Sequence, residues 1–270
     1  MELWRTSAPF IACHFLPLIG LWTGIHLADL VLLVVLYEVR VFFITAGYHR
    51  YFAHKAFRAG RGMQFVLAFG GSTAAQKGPL WWAAHHGAHH RYTDTDRDPH
   101  TPLRGFWWSH VGWILSGQYG ATDLEAIPDF ARYPELRFLD RHDWIGPWAL
   151  GVVSFLIGGW SGLFVGFFGS TLLLWHATFS VNSFAHVFGR RRYDTNDTSR
   201  NSLAVALLTN GEGWHNNHHH FPLSARQGFW WWEIDVTYGV LRALARLGLV
   251  RDLRQPTAAA RAARRVTMKV

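Results

Sequence analysis

Four apolar stretches constrain this chain more than anything else in it. Residues 9–26, 144–160 and 163–181 contain no Asp, Glu, Lys or Arg, and residues 28–47 contain three. Each stretch is 17 to 20 residues long, enough to cross a hydrocarbon layer roughly 30 Å thick at about 1.5 Å per residue. They form two tight pairs, separated only by Leu27 and by Ser161-Gly162, so each pair reads as a helical hairpin. Neither turn has a Lys or Arg, whereas Arg50, Lys55, Arg58 and Arg61 follow the second stretch and Arg190, Arg191 and Arg192 follow the fourth. The positive-inside rule then puts both termini and the segments 48–143 and 182–270 on the cytoplasmic side. The expected fold is an all-α integral membrane protein, with four transmembrane helices in two hairpins and a helical cytoplasmic part, forming one domain over 1–270. A soluble protein with buried helices is the alternative, and the consistent Lys/Arg bias weighs against it. No small-residue cleavage site follows the first apolar run, so a secretory signal is not expected.

The second stretch holds Glu38 and Arg40, and a charge at the bilayer centre costs about 2.5–3.5 kcal/mol on insertion scales. Arg40 is expected to snorkel to the cytoplasmic face, and Glu38 to face a cavity or the hairpin interior. Tryptophans cluster at Trp81-Trp82, Trp107-Trp108 and Trp230-Trp231-Trp232, which suits a cytoplasmic part resting on the membrane interface. Residues 240–270 alternate apolar side chains with Arg and read as a basic amphipathic helix and tail, suited to anionic lipid. This topology accounts for much of the net charge of +8, and no nucleic-acid partner is expected. Cys13, the single cysteine, excludes a disulfide framework, a thiolate zinc finger and an iron–sulfur cluster.

Histidine is the anomaly, with 17 residues, many of them clustered. One cluster is His49-Arg-Tyr-Phe-Ala-His54, the second His85-His86-Gly-Ala-His89-His90, and the third His215-Asn-Asn-His218-His219-His220. His86, His89 and His90 stand at i, i+3, i+4 and so share one helix face; His215, His218 and His219 repeat that spacing. His49 and His54 are about 140° apart on an ideal helix, which fits a site where the second helix ends and the chain turns. Asn182 and His186 form an i, i+4 pair beyond the fourth stretch. Helices continued to His49 and His186 would measure about 33 and 36 Å, delivering ligands at the membrane surface. The isolated His14, His26, His100, His110, His142 and His176 are expected to be structural. Imidazoles in this density suit iron, zinc or copper.

In this order, between two membrane hairpins, HxxxxH, HxxHH and HxxHH resemble the membrane-bound fatty-acyl desaturases. The flanking residues resemble the acyl-CoA (stearoyl-CoA type) Δ9 branch. They are Ile44-Thr-Ala-Gly47 ahead of His49-Arg50, Asp98-Pro-His100, Gly105-Phe, Ser109-His-Val-Gly-Trp113, Val181-Asn-Ser183, Gly211-Glu212 and His220-Phe-Pro222. The likeness covers roughly residues 28–223.

The resemblance implies a di-iron centre held by His49, His54, His86, His89, His90, His186, His215, His218 and His219, with Asn182 holding a water on one metal. His85 and His220 are extra to the pattern. It also implies O2-dependent removal of two hydrogens from adjacent methylenes of a saturated acyl chain, giving a cis double bond at Δ9. Acyl-CoA is the expected carrier, and a lipid-linked chain is the alternative. A tunnel between the transmembrane helices would choose the bond, because the chain itself offers many equivalent ones. Tyr37, about 18 Å along the helix from His49, is a candidate for its blind end. No dinucleotide fingerprint, iron–sulfur cysteine set or His-Pro-Gly-Gly haem motif occurs in the sequence. Two electrons are therefore expected from a separate ferredoxin, rubredoxin or cytochrome, with Arg58, Arg61 and Arg190–Arg192 facing an acidic donor or the phosphates of coenzyme A. A bacterial inner membrane is expected ahead of the endoplasmic reticulum.

Two other functions compete with this reading. Related membrane hydroxylases and alkane monooxygenases use similar histidine boxes, and the flanking motifs favour desaturation over them. A non-enzymatic metal transporter needs ligands near the bilayer midplane, whereas the HxxHH boxes lie outside the apolar stretches.

Overall fold

A computed structural model describes residues 2–266, with side chains from Ser7 onward. Helix α1 (Glu2–Phe15) passes into a 3-10 turn, Leu16–Ile19, where Pro17 cannot donate an α-helical hydrogen bond. A last helical turn, Gly20–Thr23, ends at Gly24, whose φ of 86° reverses the chain. Helix α2 (Leu27–Phe42) starts where the Asp29 carboxylate accepts the His26 amide at 2.9 Å. The expected turn at Leu27 is therefore corrected: the turn is Gly24–His26, and Leu27 is the first helical residue.

Helix α2 continues without a break into a π-helix, Phe43–Ala53. After a two-residue strand β1 (Arg58–Ala59) come α3 (Arg61–Ser72) and α4 (Pro79–Tyr92), then a long irregular segment and α5 (Pro134–Arg141). Helix α6 (Ile145–Ser161) leads through a π-helix, Gly162–Gly169, into α7 (Ser170–Asn182) and the short α8 (Phe184–Val187). The remaining elements are α9 (Leu203–Leu208), α10 (His215–His220), α11 (Val236–Arg246), β2 (Val250–Arg251) and α12 (Ala258–Ala262). The fold is mostly helical as expected. The all-α reading misses one antiparallel pair, Arg58 opposite Arg251 and Ala59 opposite Val250.

The 145–187 stretch folds back at Gly159 (φ 60°, ψ −147°), a conformation that costs little only for glycine. Gly151 consequently faces the Phe167 ring, and Gly162 sits against the Ser154 carbonyl. The second hairpin thus turns two residues before the expected Ser161-Gly162. Among the described residues the first pair is not a packed hairpin, because α2 lies against 162–169 and α7, and α1 against α7. The two reversals meet at Asp29, which is buried beside Gly158.

Among the described residues, Ile145–Val187 is the one stretch long and apolar enough to cross a membrane, with a mean hydropathy of 1.8 in its best window. Ser7–Thr23 is apolar but shorter, and α2 carries Asp29, Glu38 and Arg40. Arg40 does not snorkel: it is 1% exposed. Its guanidinium donates to Thr171 Oγ1 (2.7 Å), Ser170 Oγ (2.5 Å), the Thr73 carbonyl (3.4 Å) and the Leu36 carbonyl (3.0 Å). Glu38 is exposed and accepts from Asn210 Nδ2 at 2.8 Å.

The expected C-terminal helix ends at Arg246. Gly248 (φ 73°) turns the chain into β2 and then an extended strap; residues 267–270 of that expected tail lie outside the described residues. Trp81 is core rather than interface, 8% exposed and stacked on Trp113. The core gathers on the π-helix, where Tyr48 and Phe52 pack among Leu67, Leu80 and Leu136. Gly71 lets α3 approach this closely, since a Cβ there would lie 2.2 Å from the Tyr48 ring.

Candidate metal centre

The π-helix settles how His49 and His54 act together. Its i→i+5 bonds, including His54 N–H to the His49 carbonyl at 3.1 Å, stack residues five apart one turn above each other. The two rings lie 4.7 Å apart on one face. The helix therefore does not end at His49 as expected; it widens and carries both imidazoles. Helix α4 presents His86, His89 and His90, and α10 presents His215, His218 and His219. The α4 N-terminus is held by Asp140, which accepts the Leu80 and Trp81 amides at 2.9 and 2.8 Å. His186 comes from α8.

These nine imidazoles fall into two groups. His49, His54, His86, His90 and His218 form one; His89, His186, His215 and His219 form the other. Within each group every residue offers a nitrogen within 4.8 Å of the others. In the first, Nε2–Nε2 separations are 3.1 Å for His49–His218, 2.9 Å for His90–His218 and 2.8 Å for His54–His86. In the second they are 3.1 Å for His186–His215 and 3.4 Å for His89–His219. His85 is outside both groups, with Nδ1 on the Trp81 carbonyl and its ring stacked on Trp81. His220 is also outside, its ring 3.9 Å from that of Tyr193.

Carboxylates stand behind four of these rings, and the Thr198 hydroxyl meets the Nδ1 of the fourth, His186, at 3.1 Å. Asp98 accepts from His89 Nδ1 at 3.0 Å, Asp197 from His219 Nδ1 at 2.9 Å, and Glu212 lies 2.5 Å from His49 Nδ1. His186 Nδ1 lies 3.4 Å from Asp94. A neutral imidazole that donates through Nδ1 carries its lone pair on Nε2. His89 and His219 then aim two acceptors at each other with no hydrogen between them, an arrangement that a cation relieves. Nitrogen donors of this type suit a first-row transition metal, so the residues present fit an imidazole-bound metal in each group.

Electrostatics point the same way. Burial and neighbouring imidazoles hold His54, His86, His89, His90, His215 and His218 well below the ordinary histidine value, which keeps them neutral and basic at Nε2. Burial opposes ionisation of Asp94, yet His186 and Thr198 pull its carboxyl down to about 2. Burial likewise opposes ionisation of Glu212, and His49 and Arg50 hold it below the carboxylate range.

Arg50, expected as a simple cytoplasmic marker, is 1% exposed and clamps the first box to the third. It donates to Glu212 at 3.0 Å, to Asp235 at 2.9 Å and to the Ala225 carbonyl at 2.8 Å. Arg58 and Arg61 are paired with Asp252 and Glu135, and Arg192 with Glu233.

Asn182 is half-buried at the end of α7, and its side chain makes no hydrogen bond among the described residues. Tyr37 stands on α2 with its hydroxyl donating to the Leu208 carbonyl at 2.5 Å. Of the isolated histidines, His14, His176 and His110 bond in series at 3.1 and 3.0 Å and end on Ser183. His100 lies against His89, ring centres 4.2 Å apart, and with Asp98 and His89 makes a third group of metal-ligand type. Sequence reasoning missed Asp94 and Asp197. Their only signal was an acid within a few residues of a box in Asp94 and a polar loop around Asp197. Asp98 and Glu212 lie in the flanking motifs Asp98-Pro-His100 and Gly211-Glu212, which by themselves give neither carboxylate a role.

The fatty acid desaturase family model matches residues 14–255, and the chain belongs to that family, as the boxes led us to expect. It is 41% identical over 212 residues to the sn-1 stearoyl-lipid 9-desaturase of Anabaena variabilis, covering 78% of each chain. It is 40% identical over 215 residues to the sn-2 palmitoyl-lipid 9-desaturase of Nostoc sp. (strain 36), covering 78% of this chain and 75% of that one. An acyl-CoA 5-desaturase of Anemone leveillei is 36% identical over 251 residues, covering 92% of this chain and 77% of that one. The protein is an oxidoreductase acting on fatty acyl groups.

Proposed function

We propose that this chain is an O2-dependent desaturase that places a cis double bond, at Δ9, in a saturated acyl chain carried by a membrane lipid or by coenzyme A. The observation that carries the proposal is the pair of histidine groups with converging ring nitrogens. In this reading His49, His54, His86, His90 and His218 hold one iron, His89, His186, His215 and His219 hold the other, and Asn182 holds a water on one of them. When bound, the irons supply activation of dioxygen, so that two hydrogens leave neighbouring methylenes and, with two external electrons and two protons, O2 ends as two waters. Asp98, Asp197 and Glu212 keep the ligand rings in one tautomer and orientation. The helices around α2 hold the acyl chain and exclude water, with Tyr37 at the far end of its path.

We further infer that residues 1–270 form one domain, that the four apolar stretches cross the membrane, and that the boxes face the cytoplasm with a separate one-electron donor docking there. Exposed apolar side chains support the crossing, among them Leu21, Trp22, Val34, Val35, Leu156 and Ile157. Large exposed apolar side chains in this number mark a contact surface for membrane or protein.

The test is the fatty-acid profile, with double bonds located by mass spectrometry, of an aerobic host expressing the protein, set beside His89→Ala. A new monoenoic acid that disappears in the variant and without oxygen is expected. A hydroxy acid in its place would overturn desaturation in favour of hydroxylation. Purified protein without iron would overturn the metal centre.

A further inference from the structure

After β2 the chain runs as a strap over the third histidine box. The Arg254 amide donates to the Ala56 carbonyl, His220 Nε2 to the Ala260 carbonyl at 2.7 Å, and Tyr193 Oη to the Arg261 carbonyl at 3.1 Å. The amides of Asp194 and Val266 complete the attachment through the Arg264 and Arg192 carbonyls. Between the strap and Trp230 lies an open cavity of about 290 Å³, lined by Trp230, Ala258, Arg261, Ala262 and Arg265. The two alanines leave the space; the other three side chains give it chemistry.

Charge around this cavity is unbalanced. The Arg192 guanidinium lies 4.5 Å and that of Arg265 5.4 Å from the centre of the Trp230 ring. Arg192 is neutralised by Glu233, and Asp194 is taken by Arg191. Arg261 and Arg265 have no carboxylate partner among the described residues. Two exposed arginines without a carboxylate partner, both lining one open depression and one of them over the Trp230 indole, have the chemistry to receive a doubly hydrogen-bonding oxyanion.

Position narrows the source of that anion. Thr237 Oγ1 on α11 meets Thr45 Oγ1 at 2.7 Å, and Thr45 lies about 27 Å along the helix from Leu27. The start of α11, next in the chain to the exposed Trp231 and Trp232, therefore stands at the level where α2 leaves an apolar layer. With α2 crossing the membrane, as proposed above, a cationic site on Trp230, next in the chain to the exposed Trp231 and Trp232, has phosphate groups within reach: those of lipid heads, or those of a soluble nucleotide-type acyl carrier.

We propose that Arg261 and Arg265, beside Trp230, bind an organic phosphate. The site is separate from the metal centre, its readout is binding and not turnover, and its failure leaves the desaturase reading untouched. The experiment titrates the purified full-length protein in neutral detergent with dihexanoyl phosphatidylglycerol, with dihexanoyl phosphatidylcholine and with free coenzyme A. It repeats the titrations on Arg261→Gln/Arg265→Gln, whose strap attachments use backbone carbonyls and other side chains. Saturable binding of an anionic probe is expected, falling about tenfold or more in the double variant and weakening between about 50 and about 500 mM salt. Binding of phosphatidylglycerol alone identifies a lipid head as the source, and binding of coenzyme A alone identifies the acyl carrier. No saturable binding, or equal affinity in the variant with iron content unchanged, would overturn the proposal.

Discussion

His89 and His219 turn their Nε2 atoms toward each other at 3.4 Å while Asp98 and Asp197 hold their Nδ1 atoms from behind. Hydrogen bonding alone does not account for such a pair, since each ring has already committed its proton to a carboxylate. In the proposed metal centre the carboxylates orient the ligand rings, and changing them tests it without removing a ligand. Asp98→Asn and Asp197→Asn are expected to lower metal affinity by about 10- to 100-fold each. Competition with a chelator, read as iron per protein, measures it; unchanged retention in both variants would remove these acids from the site.

Asp140 gives a pH signature remote from the histidines. Burial lifts its carboxyl above the ordinary 3.8, despite the amides and Thr122 hydroxyl it accepts. Between 3.8 and the higher folded value, the folded chain keeps a proton the unfolded chain has lost, so stability falls as pH rises through that window. Asp140→Asn cannot follow this, and its Tm relative to wild type is expected to rise from pH 4 to pH 7. Asp140→Ala also loses the cap on α4, at about 0.5–2 kcal/mol. A pH-independent difference between Asn and wild type would refute the assignment.

Arg40 is a buried cation whose partners are all neutral. Ser170 and Thr171 already donate to the Gly166 and Phe167 carbonyls, so an apolar replacement orphans neither hydroxyl. Arg40→Leu is expected to stay within about 1 kcal/mol of wild type or to exceed it, whereas Arg40→Glu should not accumulate folded. Thermal unfolding in detergent separates the two. Severe destabilisation by Leu would mean that the charge itself is needed.

Tyr37 supports two distinguishable substitutions. Tyr37→Phe removes only the bond to the Leu208 carbonyl and should leave product chain length alone. Tyr37→Ala opens space and, with Tyr37 at the end of the acyl path, should admit longer chains, seen by gas chromatography of the products. Identical profiles for Ala and wild type would place the end of the path elsewhere.

Spacing within the boxes was readable because three imidazoles at i, i+3, i+4 share a face in any α-helix, and the structure keeps those helices at α4 and α10. His49 and His54 defied the same rule because a local widening to i→i+5 bonding leaves no compositional mark. Arg40 and Arg50 were misread for a related reason: partners 130 and 162 residues away decide whether an arginine is a surface charge or an internal clamp. The gap between the two charge-free stretches also located the second reversal to within two residues, but only the backbone angle selects Gly159. Asp94 and Asp197 belong to loops, where sequence carries no direction for a side chain.

Each imidazole group draws on distant stretches of the chain: His49 meets His218 across 169 positions, and His89 meets His219 across 130. A nascent polypeptide released between residues 187 and 214 carries the first two boxes and His186, with one group short of His218 and the other short of His215 and His219. Assembly of the two imidazole groups is therefore a late event, completed only once the last box has left the ribosome and swung back over the earlier two. Products shortened at the C-terminus should accumulate in the host without iron, however well their apolar helices insert.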